Sequence, residues 1–201
     1  MKHLSEEQIW KAFKDGNDEA LSFIYYQYAP KLYNYGRQFC AEADLVKDAI
    51  QDLFCEMIQS RGRLGDTTSI KFYLYASLKR KLMRVQERQQ KQFAFVGLEG
   101  GFELNISDGN DLFNQIFSAD TSQIIKEACA KLPEKQREAI ALYFFEGLSY
   151  EEIAQIMAMT KVKSARALVY RALESLSEDL TIQQHVSQTI TALWAICLST
   201  N

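Results

Sequence analysis

The sequence predicts an all-α protein built from two small helical modules, and three observations carry that reading. Helix breakers are scarce outside one segment: the prolines are Pro30 and Pro133, and four of the nine glycines fall within residues 97–109. Apolar residues recur at three- and four-residue spacing through 5–90 and again through 124–176. Between these stretches, residues 92–121 change character, with five acids and no Lys or Arg. A chain of 201 residues has room for one ordinary domain or two small ones.

The elements follow in order. Ser5 and Gln8 form a capping box ahead of Ile9, Trp10 and Phe13. Asp15-Gly16-Asn17-Asp18 stops that helix and starts a second, with an apolar stripe at Leu21, Ile24, Tyr25, Tyr28, Leu32, Tyr35 and Phe39. Leu45, Ile50, Leu53, Phe54, Met57 and Ile58 predict a third. After an Arg- and Gly-rich loop at 61–68, Thr68 or Ser69 caps a basic helix that turns Ile70, Tyr73, Leu74, Ser77 and Leu78 inward. The first module is thus residues 5–91. The acidic linker, 92–121, keeps large apolar residues such as Phe93, Phe102 and Phe117 that a plain tether does not need.

The second module, 122–180, begins with Ile124, Ile125, Ala128 and Leu132. Pro133 is suited to the first turn of the next helix, which ends at Gly147. Ser149-Tyr150-Glu151-Glu152 is a second capping box, opening a short helix to Met157. A turn at 158–161 leads to a last helix from Val162 to Asp179. Residues 181–201 carry no Lys, Arg, Asp or Glu, and Ile190, Leu193, Trp194, Ile196 and Leu198 suit a docking helix.

The net charge of −3 is unevenly spread. Residues 61–91 hold nine basic and two acidic residues, the kind of footprint that phosphate binding leaves. Tyr73 and Tyr75 interleave there with Lys71, Lys79, Arg80 and Arg84. Rings that stack bases among cations that track backbone suit single-stranded or melted DNA; a solvated amphipathic helix with core tyrosines fits equally. The capped short helix, the tight turn and the following helix form a helix-turn-helix pattern. Ala154 permits a close crossing. Lys161 in the turn and Lys163, Arg166, Tyr170 and Arg171 outside can meet phosphates or guanine edges; an ordinary antiparallel helix pair is the alternative.

Several classes are disfavoured. The two histidines, His3 and His185, accompany no nucleophile motif, glycine-rich phosphate loop or metal cluster, so neither an enzyme nor a cofactor or metal site is expected. The cysteines at 40, 55, 129 and 197 are scattered, as in a reducing compartment. The first residues hold no apolar run and no stretch is long enough for a membrane span. A cytoplasmic protein without membrane insertion is the expectation.

A family resemblance sharpens this. Leu132-Pro133 with Arg137, then Glu146-Gly147-Leu148-Ser149-Tyr150-Glu151-Glu152-Ile153-Ala154, resembles region 4 of the extracytoplasmic-function (ECF) sigma factors. Phe23 through Tyr33, Lys47 through Phe54 and Tyr73-Leu74-Tyr75-Ala76 are similar, less closely, to region 2. The resemblance implies that region 2 binds the β′ clamp of core RNA polymerase through Asp48, Gln51, Asp52, Phe54 and Glu56. It implies −10 element contacts from Lys71, Tyr73, Tyr75, Lys79, Arg80 and Arg84. Region 4 would bind the β flap and read the −35 element through Lys161, Lys163, Ser164, Arg166, Tyr170 and Arg171. Promoter DNA and an anti-sigma factor are the further partners it suggests. The chain departs from the family at Arg80, where an Asn is common, at Met83, where an acid is common, and in a turn one residue longer before the recognition helix. A free-standing helix-turn-helix regulator that works without polymerase is the competing function.

Overall fold

In the computed structural model, residues 3–40, 42–92, 124 and 127–178 are described. Every regular element among them is helical, as the all-α reading requires. The chain divides into two compact units, Met1–Gly101 and Phe102–Asn201.

The first unit holds α1 (Glu6–Lys14), α2 (Asp18–Gly36), α3 (Ala43–Ser60), a 3-10 turn at Arg61–Arg63 and α4 (Ile70–Gln92). The caps are where local chemistry puts them. Ser5 Oγ accepts from the Gln8 N–H at 3.2 Å, and Gln8 Oε1 accepts from the Ser5 N–H at 2.9 Å. Gly16 makes the turn at φ +93°, a region closed to most side chains, and Asn17 Oδ1 accepts from the Ala20 N–H. Pro30 lies inside α2 on its exposed face, where water can serve the carbonyl that its missing N–H leaves without a donor.

α4 begins under an unexpected lock. Ser69 Oγ accepts from the Phe72 N–H at 3.1 Å, as expected of a cap. In addition, Glu6 Oε2 reaches from α1 to accept the Ile70 N–H at 2.7 Å, while its other oxygen accepts from the Tyr28 hydroxyl at 2.8 Å. Burial, and then Glu6, pushes the Tyr28 hydroxyl well above the usual phenol pKa. One carboxylate thereby satisfies an orphan donor of α4 and ties α1, α2 and α4 together.

The core interleaves Trp10 and Phe13 with Leu32, Tyr35, Leu53, Met57, Leu74 and Leu78, each at most 2% exposed. In α3 the inward register differs from expectation. Val46 and Ala49 are buried, whereas Leu45 is half-buried and Ile58 is 40% exposed. Gly36 explains the choice: a Cβ there would stand 2.6 Å from Val46 Cγ1, so the missing side chain is the space that Val46 fills.

The second unit holds a helical stretch at 127–130, α5 (Glu134–Ile140) running into a π-helical turn (Ala141–Phe145), α6 (Tyr150–Ile156) and α7 (Val162–Glu178). Pro133 stands at the N-cap of α5, one place before the first turn. Arg137 reaches back to donate to the carbonyls of Ala130 and Leu132, closing the end of the preceding helical stretch. Gly147 ends the π-turn at φ +62°. The acidic linker from 93 onward, Asp179 and the 181–201 extension lie outside the described residues.

Cys129 is buried in this unit, and desolvation pushes its thiol up to about 12. The folded chain therefore holds that proton more tightly than the unfolded one. Stability linked to it is complete below the ordinary thiol value and falls as pH rises towards 12. Cys55, by contrast, is exposed. Alkylation of the native protein at pH 8, mapped by peptide mass spectrometry, should label Cys55 and spare Cys129 until the unit unfolds.

Candidate nucleic-acid interface

The helix-turn-helix is assembled by its caps and by small side chains. Ser149 Oγ accepts from the Glu152 N–H at 3.2 Å, and Glu152 Oε2 accepts from the Ser149 N–H at 2.9 Å, which starts α6 sharply. Ala154 (3% exposed) and Ala165 (0%) are buried where α6 packs on α7; their size lets the axes approach. Ala158 completes the turn at φ +53°, an uncommon conformation for a residue with a Cβ.

The buried side of α7 is Ala165, Val169, Ala172, Leu173 and Leu176. The preceding turn and the opposite side carry the expected residues: Lys161 in the turn and Lys163, Ser164 and Arg171 on the helix are exposed, and Arg166 and Tyr170 are half-buried. The first twelve residues of α7 contain three cations and no acid. Arg171 Nε donates to the Ala167 carbonyl at 3.1 Å, which holds its stem along the helix. Arg166 lies over two rings, with its guanidinium carbon 5.9 Å from the Tyr150 centroid and 5.4 Å from that of Tyr170.

In the first unit, α4 turns Arg80 and Arg84 to solvent and leaves Lys71, Tyr73 and Lys79 half-buried. Lys79 lies 5.6 Å from the centre of the Phe39 ring, and Arg80 donates to Ser77 Oγ at 3.0 Å. Tyr73 packs on Trp10 with centroids 5.0 Å apart, and burial raises its pKa. Tyr75 requires a correction. It is 0% exposed, with its ring 4.9 Å from that of Tyr35, and it can stack on no base without leaving the core.

On α3, Asp48, Gln51, Asp52 and Glu56 are all exposed on one side. Glu56 pairs with Lys81 of α4 at 2.5 Å. Phe54 also requires correction: it is 5% exposed and belongs to the packed side, not the acidic ridge. Its ring meets Tyr25 edge-on at 5.0 Å. The pair lines an apolar groove of about 710 Å³ between α2 and α3, beside the ridge, with Tyr26, Ile50 and Ile58 along it. Tyr26 is 79% exposed. The sequence signal for this groove is a set of apolar residues that fall off the buried stripe of α2 and α3, although helical spacing alone places Tyr25 and Ile58 in the core. Among the described residues no cluster of His, Cys, Asp and Glu could hold a metal, and no helix is long and apolar enough to cross a membrane.

An all-helical chain with a basic-faced helix-turn-helix in its second unit is of the DNA-binding class. Residues 122–177 match the family model of sigma-70, region 4, which lands on that helix-turn-helix. The ECF RNA polymerase sigma-E factor of Escherichia coli (strain K12) is 24% identical over 188 residues, covering 89% of this chain and 96% of the relative. The RNA polymerase sigma factor YlaC of Bacillus subtilis (strain 168) is 23% identical over 164 residues, covering 81% and 93%. The fold is that of the sigma factor RpoE, solved with the anti-sigma factor NepR from Bartonella quintana: TM-score 0.54, 24% identity, 82% of this chain and 96% of that one. The chain is thus similar to ECF sigma factors along most of its length, and the sigma-70 region 4 match lies on its second unit.

Proposed function

We propose that the chain works as a sigma factor, binding core RNA polymerase and directing it to promoters for transcription initiation. The observation that carries this is the position of the region 4 match on a helix-turn-helix whose outward face is basic. The competing reading, a regulator that works without polymerase, leaves the first unit idle, although the similarity to sigma-E spans 89% of the chain.

Residues 5–91 would serve as the polymerase- and −10-binding domain and residues 122–180 as the −35-binding domain, with 92–121 as the acidic connection and 181–201 as a docking extension. The exposed ridge of Asp48, Gln51, Asp52 and Glu56 suits a basic partner helix, which we take to be the β′ clamp, and the β flap is the counterpart for the second domain. Arg80 and Arg84, with Lys71, Lys79 and the open edge of Tyr73, would follow melted −10 DNA. Lys161, Lys163, Ser164, Arg166, Tyr170 and Arg171 would meet the −35 element in the major groove. An anti-sigma factor is a further proposed partner, and the cytoplasm the proposed location. The chain itself then makes and breaks no bond.

The test is in vitro transcription with core polymerase lacking other sigma factors and a library of randomised promoters. Run-off products should appear only when this chain is added, from templates that share two elements spaced as −35 and −10. Binding of duplex DNA without any polymerase-dependent transcript would instead favour the free-standing regulator.

A further inference from the structure

Arg166 is held before any DNA arrives. Its guanidinium lies over the rings of Tyr150 and Tyr170, and one terminal nitrogen is 3.4 Å from the Tyr170 hydroxyl. Tyr150 is the first residue of α6. Its ring is stacked on Tyr143, with centroids 4.7 Å apart and planes 14° apart. Tyr143 is buried within the π-helical turn that ends the preceding helix. A π-turn carries one more residue per hydrogen-bonded ring than an α-turn, which rotates the chain beyond it. Here that turn brings Tyr143 beneath Tyr150. Three successive elements of the module thus contribute to one column: Tyr143 from the π-turn, Tyr150 from α6, then Arg166 and Tyr170 from α7.

Such a column matters to an arginine that reads DNA. Bidentate contact with a guanine edge needs the guanidinium plane at a set angle. A long side chain on a bare helix face must give up its rotamer freedom to reach that angle, whereas one already resting on two rings has given up part of it. Arginine also stacks on aromatic faces better than lysine, because its charged group is planar and weakly hydrated.

We propose that Tyr150 is a positioning residue for sequence readout: backed by Tyr143, its ring aims Arg166 at its base pair in the −35 element. The inference rests on the reading of Arg166 as a −35 contact. It predicts a cost confined to specific binding, since phosphate attraction depends little on the guanidinium plane.

The experiment uses holoenzyme assembled from the full chain and core polymerase. Dissociation constants are measured for a promoter selected by the wild-type holoenzyme and for the same duplex with its −35 element scrambled. Tyr150→Leu should weaken binding to the selected promoter about two- to fivefold, the size of one exposed cation–π contact, and leave the scrambled duplex unchanged. Tyr150→Phe should keep wild-type discrimination, because the ring is what matters. With Arg166→Ala already present, Tyr150→Leu should cost nothing further. Equal weakening of both duplexes, or an undiminished cost in the Arg166→Ala background, overturns the proposal. If Tyr150→Leu fails to fold, Arg166→Lys carries the test: it keeps the charge but cannot lie flat between the rings, and unchanged discrimination overturns the proposal. If Arg166→Ala alone has no effect on either duplex, the positioning role falls, while promoter selection by the holoenzyme still upholds the sigma reading.

Discussion

Trp10→Ala should destabilise the first unit by about 3–5 kcal/mol, the range for removing a large buried aromatic side chain. Trp10 is 2% exposed and packs against Phe13 and Tyr73, with ring centroids 5.5 and 5.0 Å away. Its Nε1 also donates to the Gly65 carbonyl at 2.9 Å. That hydrogen bond adds about 1 kcal/mol at most, because Gly65 is exposed and water can replace the donor. The packing loss therefore dominates, and it is about a fifth or more of what an ordinary domain has to lose. Its consequence reaches the proposed DNA face. Trp10 is the surface on which Tyr73 rests, and together with the Lys14–Asp66 pair at 2.6 Å it pins the loop that leads into α4. Native-state hydrogen exchange of the α1–α4 amides reads the loss directly. Trp10→Phe, which keeps a ring and loses the hydrogen bond, should cost less than half as much. A loss below about 1 kcal/mol for Trp10→Ala would mean the indole is not packed in this way.

What the sequence made legible was local. Ser5, Asn17 and Ser149 start helices through contacts three residues away, so their meaning is contained in their own segments. The outward face of α7 was legible for a similar reason: small and apolar residues at 165, 169, 172, 173 and 176 leave one direction for the cations. The acidic residues of α3 were named by the family resemblance, and their three- and four-residue spacing agrees with the one exposed side they share. What stayed hidden depends on a second element. Whether Leu45 or Val46 enters the core is decided by the missing side chain of Gly36 on α2. Tyr75 has the chemistry of a base-stacking ring, and packing against other elements, with Tyr35 of α2 among its neighbours, makes it core. Glu6 caps a helix that begins 64 residues later, which no pattern within α1 announces. The π-turn falls in Ala141-Leu142-Tyr143-Phe144-Phe145, an unbroken apolar run compatible with any helical period. In the sequence, Tyr150 therefore reads as part of a capping box and not as the partner of Arg166.

Reversing Asp48 and Asp52 together to lysine should reduce co-purification with core polymerase by more than about a hundredfold. Both carboxylates are exposed one helical turn apart on α3, and neither enters an ion pair among the described residues. Folding accordingly has little stake in them. A partner helix does, because an interface strips water from charges that the free chain leaves solvated. Close charge pairs across an interface couple by about 1.5–7 kcal/mol, and reversal replaces attraction with repulsion at both positions. Even the low end, taken twice, is about 3 kcal/mol, or over a hundredfold in affinity. The neutral pair Asp48→Asn and Asp52→Asn should fall between wild type and the reversal, since it removes attraction without adding repulsion. Glu56 behaves differently: its carboxylate is already engaged by Lys81, so Glu56→Gln disturbs the α3–α4 contact as well as the ridge and is the poorer probe. Raising the salt concentration should shrink the difference between wild type and reversal, because the ridge lies at a surface. An undiminished yield of polymerase with the double reversal, in a chain whose circular dichroism and unfolding midpoint match wild type, would remove the ridge from the polymerase interface.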